Sequence, residues 1–152
     1  MSIEASIRYS AHVQSWLSCR MTMHPRKLQV LDRAFALAVL VHRLADRHQH
    51  AIARVSIGMR AQMLRAADAI PFHLAEATTQ TSRDASARVL TAAIGACNEL
   101  ELQLRLAGAL EAVDSGVNVL IEEATEVRAM TYGLRRHMLG KAPSGGDPRY
   151  TV

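Results

Sequence analysis

Imidazoles and carboxylates at helical spacing are the raw material of metal-dependent helix-bundle enzymes. Carboxylate-bridged di-iron bundles need Glu-x-x-His on two helices and further glutamates from the others. In this chain the nearest approach is His73-x-x-Glu76, which runs in the reverse order and is not repeated. Glu99 and Glu101 stand two apart, so they leave a helix in different directions. His48 and His50 have the same defect and lack further ligands nearby in sequence. A structural zinc site takes four. The two cysteines, Cys19 and Cys97, fit no ligand or redox spacing and read as a surface thiol and a small core residue. There is no nucleophile–base set and no phosphate loop. The expectation is a protein that is not an enzyme, with no catalytic residue, metal or cofactor.

The basic residues offer different chemistry. Net charge is +4, and of the cations only Lys27 and Lys141 are lysine. Arginine's planar fork pairs with phosphate or carboxylate. The charge is also segregated. Met1 to Arg65 carries ten basic and three acidic side chains, and Ala66 to Val127 three basic and ten acidic. Arg128 to Val152 carries five basic and one acidic.

Hydrophobic periodicity supplies the elements that position these residues. Hydrophobic types make up 49% of the chain and aromatics only 4%, so leucine, alanine and valine dominate. That balance favours helices over sheet. Leu28, Leu31, Phe35, Ala38, Val41 and Ala45 repeat at steps of three and four and predict a first helix from Arg26 to Arg47, with Pro25 just before its start. His48-Gln49-His50 reads as a turn. A second helix is expected from Arg54 to Thr78 through Ile57, Met63, Ala67, Ile70 and Leu74. Ser82 is placed to cap a third, Arg83 to Leu110. Asp114 or Ser115 then caps a fourth, ending near Leu139, with Gly140 as its stop. Short turns make neighbours antiparallel. The fold class is therefore all-α, an up-down-up-down four-helix bundle over 26–139. Residues 1–25 read as an N-terminal extension, with Met21 or Met23 as an alternative start, and 140–152 as a disordered Pro/Gly/Ser-rich tail.

This topology gathers scattered cations. The starts of helices one and three and the ends of helices two and four share one pole. Arg26, Lys27, Arg33, Arg83, Arg88, Arg128, Arg135 and Arg136 are the candidate nucleic-acid-binding residues there, with Asp32, Glu76 and Asp84 as the few acids. The opposite pole is expected to be mixed, with Arg43, Arg47, Arg54 and Arg60 facing Glu111, Asp114, Glu122, Glu123 and Glu126. Aromatics are not interleaved with the cations, so backbone contact with structured RNA or duplex is favoured over base stacking. The competing reading is that these charges only solvate helix faces.

Two stretches carry a family resemblance. In Arg65 to Ala77 a proline interrupts an alanine-rich helix, a break worth about 3 kcal/mol unless packing offsets it. Gln62, Arg65, Ala66, Ala67, Ile70, Pro71, Ala75 and Glu76, followed by Asn98, Glu99, Leu100, Glu101, Gln103 and Leu104, resemble the paired motifs of a bacterial four-helix-bundle family. That family includes proteins encoded in intervening sequences of large-subunit rRNA genes and the accessory variability determinant (Avd) of diversity-generating retroelements. Leu28 to Ala34 is similar to its opening motif, with Leu31 where tryptophan is usual. His73 stands where asparagine is usual and Ala77 where glycine is. The resemblance covers roughly Arg26 to Leu139. It implies a non-enzymatic oligomeric accessory protein, a ring-like homo-oligomer with a pentamer favoured, binding structured RNA or duplex DNA, with a reverse transcriptase as a further partner. The alternative is a protein-interaction scaffold with no nucleic-acid role. No apolar run reaches the ~18 residues of a membrane span, and no secretory signal is visible, so a cytoplasmic location is expected.

Overall fold

The computed structural model describes residues 25–140. The expectations for residues 1–24 and 141–152 lie outside the described residues, as do the side chains of Pro25, Arg26 and Leu28. The described chain forms five helices: α1 Pro25–Arg47, α2 Gln49–Val55, α3 Met59–Thr79, α4 Arg83–Ala109 and α5 Val117–Met138. Helix α1 packs on α3 and α5, and α4 packs on the same two, so the long helices close a four-membered bundle.

Cross-helix pairs fix the directions. His42 and Asp46 on α1 meet Asp68 and Arg60 on α3. Gln62 and Ala77 on α3 meet Gln103 and Ser86 on α4. Thr91 and Glu101 on α4 meet Arg135 and Arg128 on α5. Arg33 on α1 reaches Glu123 on α5, while His48 just beyond α1 reaches Asp114 just before α5. In each case numbers rise on one partner as they fall on the other, so every neighbour is antiparallel. The up-down-up-down topology is the one expected from short connections.

The core is a thread of aliphatic side chains. Leu31, Leu37, Val41, Met63, Ile70, Leu90, Leu100, Leu104 and Val127 are each at most 1% exposed. Ala66 and Ala67 on α3 and Ala93 on α4 are buried with them, and such small side chains permit close helix approach. Pro71 lies inside α3, which continues on both sides of it. The amide that proline lacks leaves one helical carbonyl unserved, and the surrounding packing carries the helix across.

The region after α1 departs from expectation. His48 to His50 is not an open turn. The amide of His48 still donates to the Leu44 carbonyl at 3.1 Å, and Gln49–Val55 forms a separate short helix. Ile52, fully buried, ties α2 to the bundle. The second long helix then starts at Met59 and not at Arg54, because Ser56 is extended and Gly58 stands at the new N-terminus. Ile57, read from its spacing as a core residue, is 96% exposed in the intervening turn. Phe35, read into the core stripe of the first helix, is 42% exposed. It sits four residues after Leu31 but off the centre of the buried face.

Helix ends are satisfied by backbone closures and by a few side chains. The Ser82 hydroxyl accepts from the Ala85 amide at 3.1 Å, as its position predicted. The buried Ser86 hydroxyl donates 2.8 Å to the Ala77 carbonyl, serving an orphan acceptor in the last turn of α3. At the end of α4, Ala112 donates to the Ala107 carbonyl and Glu111 to that of Gly108, a Schellman arrangement with Glu111 left-handed at φ 53°. Neither Asp114 nor Ser115 is the cap of α5. Gly116 holds that position, and the Asp114 carboxylate accepts from the Gly116 amide at 2.9 Å from just outside the helix. Gly140 follows α5 at φ 64°, as expected of a helix stop.

Candidate nucleic-acid interface

The topology brings the start of α1, the end of α3, the start of α4 and the end of α5 to one pole. Lys27 is half-buried there, Arg83 and Arg88 are exposed on the first turns of α4, and Arg135 and Arg136 are half-buried on the last turn of α5. Arg26 belongs to the first turn of α1, and its side chain lies outside the described residues. Arg83, Arg88 and Arg136 make no ion pair among the described residues. Arg135 donates through Nε to the neutral Thr91 hydroxyl at 2.8 Å. Among the described residues these four arginines therefore keep their charge uncompensated by a carboxylate. Arg135, Arg136 and His137 also lie against the negative end of the α5 dipole. The acids of this pole are dispersed. Asp84 occupies the first turn of α4, and Glu76 is exposed with its carboxylate 3.4 Å from His73 Nδ1.

Two of the eight expected cations stand elsewhere. Arg33 is two turns into α1. Its guanidinium spans both Glu123 oxygens at 2.9 Å and reaches Glu126 at 3.4 Å. Both acids, expected from their positions at the opposite pole, lie along the middle of α5, level with Arg33. Arg128 reaches across to α4, donating 2.5 Å to Glu101 and 2.8 Å to Asn98. Glu101 also holds Arg105, one turn along its own helix, at 2.9 Å. Both cations are occupied in tying helices together. The remaining six positions belong to the pole.

At the far pole Asp114 collects His48 at 3.1 Å and Arg47 at 3.7 Å. Its carboxyl is held below the usual carboxylate range, chiefly by the Gly116 amide, an effect that desolvation opposes and that the hydrogen bond and charge of His48 and the charge of Arg47 reinforce. Arg60 pairs with Asp46. In the interior, burial pushes the Cys97 thiol up to about 12, against the charge of nearby Arg128. Among the described residues no three His, Cys, Asp or Glu side chains gather as a metal site, and no helix is long and apolar enough to cross a membrane.

The Asn98–Glu101–Arg128 clamp was not legible beforehand. Its only sequence signal is the three-residue spacing of Asn98 and Glu101, which puts both on one side of α4. Nothing in the sequence names the arginine that they receive.

Residues 26–133 match the family model described as 23S rRNA-intervening sequence protein. The chain belongs to this family. Within a 23S rRNA-intervening sequence protein, the two motif stretches therefore have an observed relation: Gln103 of the second donates 2.9 Å to Gln62 of the first. Among solved structures the chain resembles a crystal structure from Bacteroides thetaiotaomicron VPI-5482, described as a protein with unknown function from the S23 ribosomal protein family. The identity is 21% and the TM-score 0.64, covering 73% of this chain and 98% of the other. That likeness supports the bundle fold. No curated protein matches the chain.

Proposed function

We propose that this 23S rRNA-intervening sequence protein is a non-enzymatic, oligomeric accessory protein that holds structured RNA or duplex DNA by its phosphates. The observation that carries the reading is the pole formed by Lys27, Arg83, Arg88, Arg135 and Arg136, whose arginines make no ion pair among the described residues. Copies arranged as a ring with parallel axes, a pentamer by analogy with Avd, would merge these poles into one basic rim. A reverse transcriptase acting on the bound RNA is the partner that the analogy adds.

A salt-series titration with a structured RNA and with duplex DNA tests this. Each phosphate neutralised contributes roughly 0.9 to the slope of log affinity against log salt on a duplex. A rim of several arginines gives a steep slope on both nucleic acids. A flat response at low salt replaces this reading with the second one, a protein-interaction scaffold. That alternative draws on exposed apolar side chains, with Phe72 73% and Leu102 66% accessible.

A further inference from the structure

Resting on the oligomer proposed above, we infer that its subunits meet through the outer edge of α3 on one copy and the outer edge of α4 on the next, with helix axes parallel and arginine poles aligned. Both edges carry residues seven apart, hence on one face: Arg65 and Phe72 on α3, and Ala92, Glu99 and Leu106 on α4. All five are exposed. Each lies two residues beyond a buried position in the same seven-residue rhythm, Met63 and Ile70 on α3 and Leu90, Cys97 and Leu104 on α4, so these faces point away from the core.

The register of α3 against α4 is known from the Gln62–Gln103 and Ala77–Ser86 hydrogen bonds. Counting from those pairs puts Arg65 level with Glu99 and Phe72 with Ala92, while Ile57, in the turn just ahead of α3, stands toward the end of α4 that carries Leu106. A neighbour in the same orientation therefore presents its α4 edge at matching heights. The 73% exposed Phe72 meets a small residue and Arg65 meets Glu99, with the exposed Ile57 and Leu106 toward the same end of the contact. Neither Arg65 nor Glu99 makes an ion pair among the described residues.

With the axes parallel, as in the ring proposed above, the charge pair and the apolar contacts fall into place together; a copy turned end over end at the level of Arg65 keeps Arg65 on Glu99 but sets the arginine poles at opposite ends. The complementary charge at matching height points to a second copy as the occupant, and its direction follows from the ring with aligned poles. Gly95 points the same way. A Cβ there would meet nothing within 4 Å, so packing inside the chain gives no reason for a mid-helix glycine beside this edge, whereas a close neighbour does. A contact joining two different surfaces is head-to-tail and closes into a ring when its rotation permits.

Light scattering coupled to size-exclusion chromatography, with helical melting as a folding control, tests the contact. Phe72→Glu and Leu106→Glu should each reduce the assembly to monomer at micromolar concentration while the monomer stays helical. Arg65→Glu should do the same, and adding Glu99→Arg to it should restore the wild-type mass. If wild type assembles but the Phe72 and Leu106 variants keep its mass, this contact is overturned and the ring stands on another face. If wild type is itself a monomer, both the contact and the ring fall.

Discussion

Arg128 and Glu101 meet at 2.5 Å between α5 and α4, with only 24% and 14% of their side chains accessible. A cation expected at a binding surface is instead enclosed by a carboxylate and the Asn98 amide. Removing one partner of such a pair leaves the other shielded from water and unsatisfied. Glu101→Ala should destabilise the fold by about 2 kcal/mol in chemical denaturation. The loss exceeds the few tenths expected of the exposed Arg105 pair, which Arg105→Ala would isolate.

Reversing Arg135 and Arg136 to glutamate separates binding from folding in the other direction. Neither is ion-paired among the described residues, but both favour the negative end of the α5 dipole, so thermal stability should fall modestly, by about 1 to 2 kcal/mol, with helix content retained. Affinity for structured RNA should fall at least tenfold in low salt, and the salt slope should flatten by roughly one unit per lost phosphate contact. Unchanged affinity would remove the pole from the mechanism.

Glu111 occupies the left-handed position that ends α4. A side chain there costs about 1 to 2 kcal/mol relative to an unstrained backbone, and glycine is free of that penalty. Glu111→Gly should raise stability by about 1 kcal/mol, read as a higher melting temperature with unchanged helix content.

Asp114 gives the far pole a defined pH response. Its folded carboxyl titrates below the ordinary value because the Gly116 amide, His48 and Arg47 all favour the anion. Such a group contributes stability above the unfolded carboxylate's titration and loses it as pH falls through the lower, folded value. Asp114→Asn should therefore be less stable than wild type at neutral pH, and the gap should close at strongly acidic pH. Denaturation curves across the acid range would show whether it does.

The long helices were legible because alanine and leucine repeat at steps of three and four from Leu31 to Val127, and short connections between those stripes make neighbouring helices antiparallel. The Ser82 cap and Gly140 stop follow from local chemistry that needs no tertiary context. The short helix Gln49–Val55 did not show, because one buried residue, Ile52, anchors it amid polar neighbours. Ile57 was misplaced for the complementary reason: its spacing matches the next stripe, but the chain turns at Gly58 before the stripe begins. The pole itself was half legible. Topology predicts which helix ends meet, yet Arg33 and Arg128 sit far enough from those ends for mid-helix carboxylates to claim them. Pairing across helices depends on register, which no single helix encodes.

An even number of long antiparallel helices returns the chain to its starting end. Pro25 and Gly140 both stand beside the arginines. Any dye, affinity handle or fused domain joined at either position would crowd the surface whose binding it was meant to report. The connection between Leu110 and Gly116, some thirty ångströms away along helices of this length, is the better attachment point.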